Sequence, residues 1–307
     1  MSLDAGSGAR SGKSWQWDEA TWRGYVNRIR ARAAERIEWP ASARMAVAIS
    51  FDADHETIPL RDGEVSPGSL AQGEYGARVG SPRIVALLAE YQIPATFFMP
   101  AVSAMLHPQE ALGYVEKGHE IAVHGWIHER NVLLSEGEER ELVERSVAAL
   151  ERLTGVRPIG LRTPSWDFSE HTLAVARAVG FVYDSSLMAD DEPYELLADG
   201  EPTGVVEIPV DWIRDDAPYF SMDRYGSERP YTPPRDVSTI WRDEFDGAWT
   251  SGGLFQLTLH PHIIGHRSRL VALRTLLEHI RAHQGVWFAT HAQVAAHVRS
   301  SWEEEDR

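Results

Sequence analysis

No cysteine occurs among the 307 residues, which excludes a disulfide framework and any thiolate metal site. A metal held by this chain must therefore rely on imidazole and oxygen donors. Also missing is any apolar run approaching the ~18 residues of a membrane-spanning helix. Met1 to Ser14 has no apolar segment of the kind a secretion signal carries. Cytoplasmic residence is the corresponding expectation, with no membrane partner. Positive charge is short: 30 Lys+Arg against 46 Asp+Glu give a formal charge of -16, which repels phosphate backbones and anionic lipid surfaces. Nucleic acid is not an expected partner.

The hydrophobic content of 43% is enough for one large core, and a single α/β barrel is routinely this long. The expected organisation is a disordered tail over 1–14, a helical extension over 15–40 and a barrel domain over 41–300. Trp22, Tyr25, Val26, Ile29 and Ala33 recur at roughly helical spacing, so one amphipathic helix is expected from Trp15 to Ile37. Met45 to Phe51 is an uninterrupted apolar run suited to a strand buried on both faces. Glycines and prolines make 55–80 read as a loop insertion, and aromatic, Pro and Asp residues make 211–250 read as a second. Between them, strands alternate with helices such as Ser81 to Tyr91 and the segment opened by the capping box Ser135-x-x-Glu138. This alternation implies a parallel sheet with helices outside, most economically a barrel, whose chemistry belongs at the C-terminal ends of the strands.

Asp52, His124, Arg162, Asp184 and His260 each fall directly behind an expected strand. His124 and His128 are spaced to reach one metal ion, and Asp52-Ala53-Asp54 offers a carboxylate as third ligand, leaving positions open for catalysis. The minimal companions of such an ion are a base for water and an acid for the leaving group. The assignment is Asp54 as ligand, Asp52 as base, Arg162 holding that base ionised, His260 as acid and Asp184 orienting a histidine. Taken singly, Arg162 also suits a surface ion pair, Asp184 a turn cap, and His262 competes with His260. Trp126 and Trp166 suit either packing or a substrate platform. His119-Glu120 does not make a zinc-protease motif, because the next histidine stands one position too far on.

Together, Ser50-Phe51-Asp52-Ala53-Asp54, His124-Gly125-Trp126-Ile127-His128, Arg162-Thr163-Pro164-Ser165-Trp166, Asp184-Ser185-Ser186 and Leu257-Thr258-Leu259-His260-Pro261 resemble, in order, the five motifs of the polysaccharide deacetylase (NodB-homology) family. The resemblance implies a distorted (β/α) barrel of about seven parallel strands and metal-dependent removal of an acetyl group. It implies Asp52 as base, Asp54, His124 and His128 on a divalent metal, usually zinc, Arg162 supporting the base, and His260 as acid assisted by Asp184. Gly73-Glu74-Tyr75-Gly76 and Asp211-Trp212 with Asp215-Asp216 are similar to the cytoplasmic branch, which also holds allantoinases and cyclic imide hydrolases. From this follow Glu74, Tyr75, Trp126 and Trp166 as expected substrate contacts, a homo-oligomer, and a small-molecule or oligosaccharide substrate. N-deacetylation of an amino sugar is the first expectation and opening of a cyclic amide, imide or ureide the second. An inactive carbohydrate-binding barrel is the reading from another class, and a non-haem iron oxygenase a remote one.

Overall fold

A computed structural model describes residues 13–32, 37–221 and 232–305. The strands are β1 (Ile29–Arg32), β2 (Met45–Asp52), β3 (Thr96–Met99), β4 (Glu120–Val123), β5 (Gly160–Leu161), β6 (Tyr183–Asp184), β7 (Tyr194–Ala198), β8 (Glu201–Glu207), β9 (Leu254–Leu259) and β10 (Val286–Ala289). They form one curled sheet in the order β9-β2-β3-β4-β5-β6-β8-β7-β1. β10 lies beside the first half of β2, on the edge that β3 occupies along the second half. Among the described residues all strands but β1 and β7 run parallel, in keeping with the about seven expected, while β7 pairs antiparallel with both β8 and β1. The chain following β8 returns to β9 through a bridge between Asp215 and Thr258, tying the ends of the curl into a distorted barrel.

Alternation along β2 separates two environments, because successive side chains leave a strand on opposite faces. Met45, Val47, Ile49 and Phe51 join the outer core under the helices. Ala46 and Ala48 line the inner core. Their small side chains make room for Val294, Ala295 and Val298 of the last helix, α5 (His291–Glu305), which packs with them. Above that plug the inner face turns polar with Ser50 and Asp52, both buried. The outer helices named here are α1 (Ser81–Tyr91), α2 (Glu136–Thr154), α3 (Pro234–Ser251) and α4 (Arg267–Arg281). α2 opens on the expected capping box, with Ser135 and Glu138 bonded reciprocally. Among the described residues no helix is long and apolar enough to cross a membrane.

Three expectations of local structure are corrected. The N-terminal extension is not one helix: a short helix, Glu19–Asn27, gives way to β1. Ile29 and Ala31 pack against the core around Leu196, while Trp22, Tyr25 and Val26 stay exposed. Tertiary pairing has overridden the helical spacing. Residues 33–36, and 1–12 of the expected tail, lie outside the described residues. The segment 55–80 is helical in part, at Thr57–Arg61 and Pro67–Tyr75. Its glycines mark close approach: a Cβ on Gly73 would stand 2.2 Å from the His55 carbonyl carbon, and one on Gly80 2.1 Å from the Pro261 carbonyl oxygen. Finally, 211–250 contains the 18-residue helix α3, whose buried Val237, Trp241 and Phe245 recur at helical spacing.

Candidate active site

The turn after β4 sets the two histidines. Gly125 takes φ +74, and a Cβ there would press on Pro164 and Glu129. The buried Glu129 carboxylate accepts from the backbone N–H groups of Trp126 and Ile127 at 2.9 and 2.8 Å. His128 closes the turn at φ 63, a strained value for a non-glycine residue that surrounding bonds must hold. Ser165 and Trp166 are also left-handed, at φ 54 and 56, so strained backbone gathers around this mouth.

Asp54 Oδ1 stands 3.5 Å from His124 Nε2 and 3.7 Å from His128 Nε2. A tetrahedral ion with ligand bonds of ~2.0–2.1 Å spaces its donors by roughly 3.4 Å, so the three groups already sit near ligand spacing. Both Asp54 oxygens are buried without a hydrogen-bond partner, which is costly for a carboxylate unless something cationic meets it. His124 Nδ1 lies 2.8 Å from the Arg162 carbonyl oxygen. That oxygen only accepts, so the Nδ1 carries the hydrogen and Nε2 presents its lone pair to the cavity. Burial above all pushes the His124 pKa down to about 4, keeping the ring neutral as a ligand must be. Burial and mutual repulsion raise the pKa values of Asp54 and Asp215 to about 8 and about 7, and a divalent ion would supply the positive charge that these crowded carboxyls lack. The residues therefore fit such an ion.

Arg162 is fully buried and all five of its N–H groups find partners. Nη1 donates to Asp52 Oδ1 at 2.7 Å and to Ser50 at 2.9 Å. Nε and Nη2 donate to the Ser185 carbonyl and hydroxyl, and Nη2 also lies 3.4 Å from His291 Nε2. Burial, the largest influence, raises the Asp52 pKa, but Arg162, His124 and His260 outweigh it and hold the carboxyl below its usual value. With Oδ1 fixed, Oδ2 remains 3.7 Å from His124 Nε2 and 4.0 Å from His260 Nε2.

His260 Nδ1 bonds Asp216 Oδ1 at 2.6 Å, and its backbone N–H donates to Asp216 Oδ2 at 3.1 Å. Asp215 Oδ1 lies 3.7 Å from the same Nδ1. Burial opposes the charged ring most strongly, yet Asp216 and Asp215 reverse it and raise the His260 pKa well above its usual value. Nε2 of the cation points toward Asp52 and Asp54. Burial and the surrounding carboxyls push the Asp54 pKa up to about 8, against the pull of His260.

A cavity of about 190 Å³ opens over these groups, lined also by Ile58, Trp166, Trp212 and His262. The Trp166 and Trp212 rings meet at 4.0 Å. A second cavity, of about 430 Å³, shares Ser221, His262 and Ile263 with it and is lined by Tyr75, whose ring stacks on His266 at 4.1 Å. The expected residues Asp52, Asp54, His124, His128, Arg162, His260 and Trp166 are thus brought together, with Tyr75 next door.

Three expected positions are corrected. Asp184 does not serve His260: it accepts from Ser186 at 3.0 Å and shares a buried hydrogen bond with Glu207, on the β6–β8 side of the barrel. Glu74 points to a different cavity and pairs with Arg78 at 3.6 Å. Trp126 turns outward under the Arg145 guanidinium of α2, 4.1 Å away. The residues missed are Asp215, Asp216, Trp212 and the Arg162 partner His291. For Trp212, Asp215 and Asp216 the signal was the Asp-rich, aromatic stretch 211–219, read as part of a substrate-facing insertion with no role for its single residues; His291 carried no such signal.

Comparison with known proteins follows the same pattern. The polysaccharide deacetylase model matches residues 71–183. A crystal structure assigned as a polysaccharide deacetylase from Mycobacterium smegmatis is 36% identical, with TM-score 0.82, over 89% of this chain and 96% of that one. This chain belongs to the polysaccharide deacetylase family. Family membership makes it a hydrolase of carbon–nitrogen bonds other than peptide bonds. In sequence this polysaccharide deacetylase family member is similar to the peptidoglycan deacetylase of Helicobacter pylori, 29% identical over 276 residues, 82% of this chain and 94% of that one. Its fold is shared with an allantoinase structure, 26% identical with TM-score 0.77 over 88% and 95% of the two chains.

If Asp54 is a ligand it must lose its proton, so binding of a divalent ion is expected to release a proton below about pH 8. Apparent affinity should rise by up to about tenfold per pH unit from pH 6 and flatten above 8. Calorimetric titration in buffers of differing ionisation enthalpy reads the released proton directly. An affinity independent of pH in this range counts against Asp54 as the ligand.

Proposed function

We propose that this chain is a metal-dependent hydrolase that removes the acetyl group from an N-acetylated amino sugar, with zinc the expected ion. The observation that carries the reading is the pairing of an Asp54/His124/His128 ligand set with an Asp52 carboxylate clamped 2.7 Å from Arg162. A divalent ion, when bound, polarises the scissile carbonyl and acidifies water. Asp54, His124 and His128 hold it. Asp52 Oδ2 takes a proton from the attacking water as the oxygen–carbon bond forms, and Arg162 keeps that carboxyl ionised beforehand. His260 Nε2 delivers a proton to the leaving nitrogen as the carbon–nitrogen bond breaks, with Asp216 stabilising the cation until then. Trp166 and Trp212 wall the cavity and exclude water from one side.

The likeness to an allantoinase supports a second reading, opening of a small cyclic amide, imide or ureide. A cavity of about 190 Å³ suits either an acetamido group or a small ring. A turnover screen decides: acetate release from N-acetyl sugars with hydantoins, imides and allantoin untouched supports the deacetylase. The opposite pattern replaces it with the cyclic-amide reading.

A further inference from the structure

Away from the barrel mouth, α3 and the end of α4 bring together Asp246, His279 and His283. His279 Nε2 is 2.6 Å from Asp246 Oδ1, and His283 Nε2 is 3.9 Å from the same oxygen. These distances bracket the roughly 3.4 Å donor spacing of a tetrahedral ion. His283 Nδ1 lies 2.9 Å from the His279 carbonyl oxygen, which only accepts. The Nδ1 therefore carries the hydrogen, and Nε2 turns its lone pair toward Asp246, the same backbone-carbonyl device that orients His124. Phe245 packs edge-on against both rings, at 5.7 and 5.1 Å, and Trp249 against His283 at 5.1 Å, so the rings are steered before any ion arrives. The three ligand groups are partly exposed, so an ion reaches them from solvent and water completes its shell.

We propose that Asp246, His279 and His283 bind a divalent transition-metal ion of the zinc class, a structural staple independent of the catalytic pocket. The ion joins α3 to the last turn of α4 and to the turn that leads into β10, where Gly285 accepts from Arg44 and Met45 at the start of β2. Binding exchanges the His279–Asp246 hydrogen bond for two metal bonds, and the neutral His279 ring then carries its one hydrogen on Nδ1 while Nε2 faces the ion. The staple thus fixes the outer helices against the strand that carries Asp52.

The test uses the full chain with His124→Ala and His128→Ala, so that zinc bound at the mouth does not contribute. Equilibrium dialysis with elemental analysis is expected to find one zinc per chain, and zinc to raise the melting temperature. Adding Asp246→Asn, which keeps a hydrogen bond to His279, is expected to weaken binding at least about tenfold and to abolish the thermal shift. His279→Ala with His283→Ala should do the same. Zinc affinity unchanged by Asp246→Asn, or binding only at millimolar zinc, overturns the proposal. Should the mouth variant not fold, the comparison is two ions in the unaltered protein against one in Asp246→Asn. Equal counts there overturn it equally. Asp246→Asn in the otherwise unaltered enzyme is expected to keep full turnover.

Discussion

Asp52→Asn is expected to lower turnover by a factor of about 10³ or more while metal content stays as it was, the size of effect seen when a positioned base and its charge are lost together. The asparagine keeps the shape of the side chain but accepts no proton from water. It also leaves the Arg162 guanidinium without its counter-charge in a fully buried site, so stability should drop by roughly 3–5 kcal/mol. The two readouts separate the roles. Turnover lost with metal retained marks Asp52 as the base, whereas loss of the metal would make it a ligand and invert its assignment with Asp54.

Asp216→Asn tests the acid. His260 remains cationic because Asp216 and Asp215 outweigh the cost of burial, and the 2.6 Å contact to Asp216 is the shortest of these. Removing that charge lowers the folded-state pKa of the ring. The proton is then lost at lower pH, and the alkaline limb of kcat/KM moves to more acid values by about one unit or more. The acid limb, set by Asp52 in the same scheme, stays in place. At neutral pH kcat/KM should fall by about 10–10²-fold. An unmoved alkaline limb would show that some other group supplies the proton, and Asp184→Asn serves as the contrast, since Asp184 lies with Glu207 and Ser186.

Why Asp184 was expected at His260 and Asp216 was not is a matter of barrel closure. Each strand end could be read locally: an apolar run stops and a polar residue follows, which placed Asp52, His124, Arg162 and His260 on one rim. Which carboxylate faces His260 depends on how the sheet curls. β9 is bordered by β2 on one edge, and the other edge meets Asp215 through the bridge to Thr258. β6 lies between β5 and β8, across the ring. No periodicity in the chain carries that adjacency. The same holds for Trp126, where the left-handed Gly125 swings the ring out to Arg145 while the flanking histidines turn in. The glycines of 55–80 were visible but ambiguous, since close packing of backbone on backbone demands the residue that a loop also favours.

The most direct measurement is metal content by elemental mass spectrometry on protein purified without nickel resin, beside a variant with His124 and His128 both changed to Ala. The account expects the two to differ by about one zinc or similar ion per chain, the stoichiometry of a site with three protein ligands, with turnover lost in the variant. Equal metal content in the two proteins, or full turnover from a protein that binds no zinc at the mouth when supplied with it, would contradict a metal-dependent hydrolase at this site.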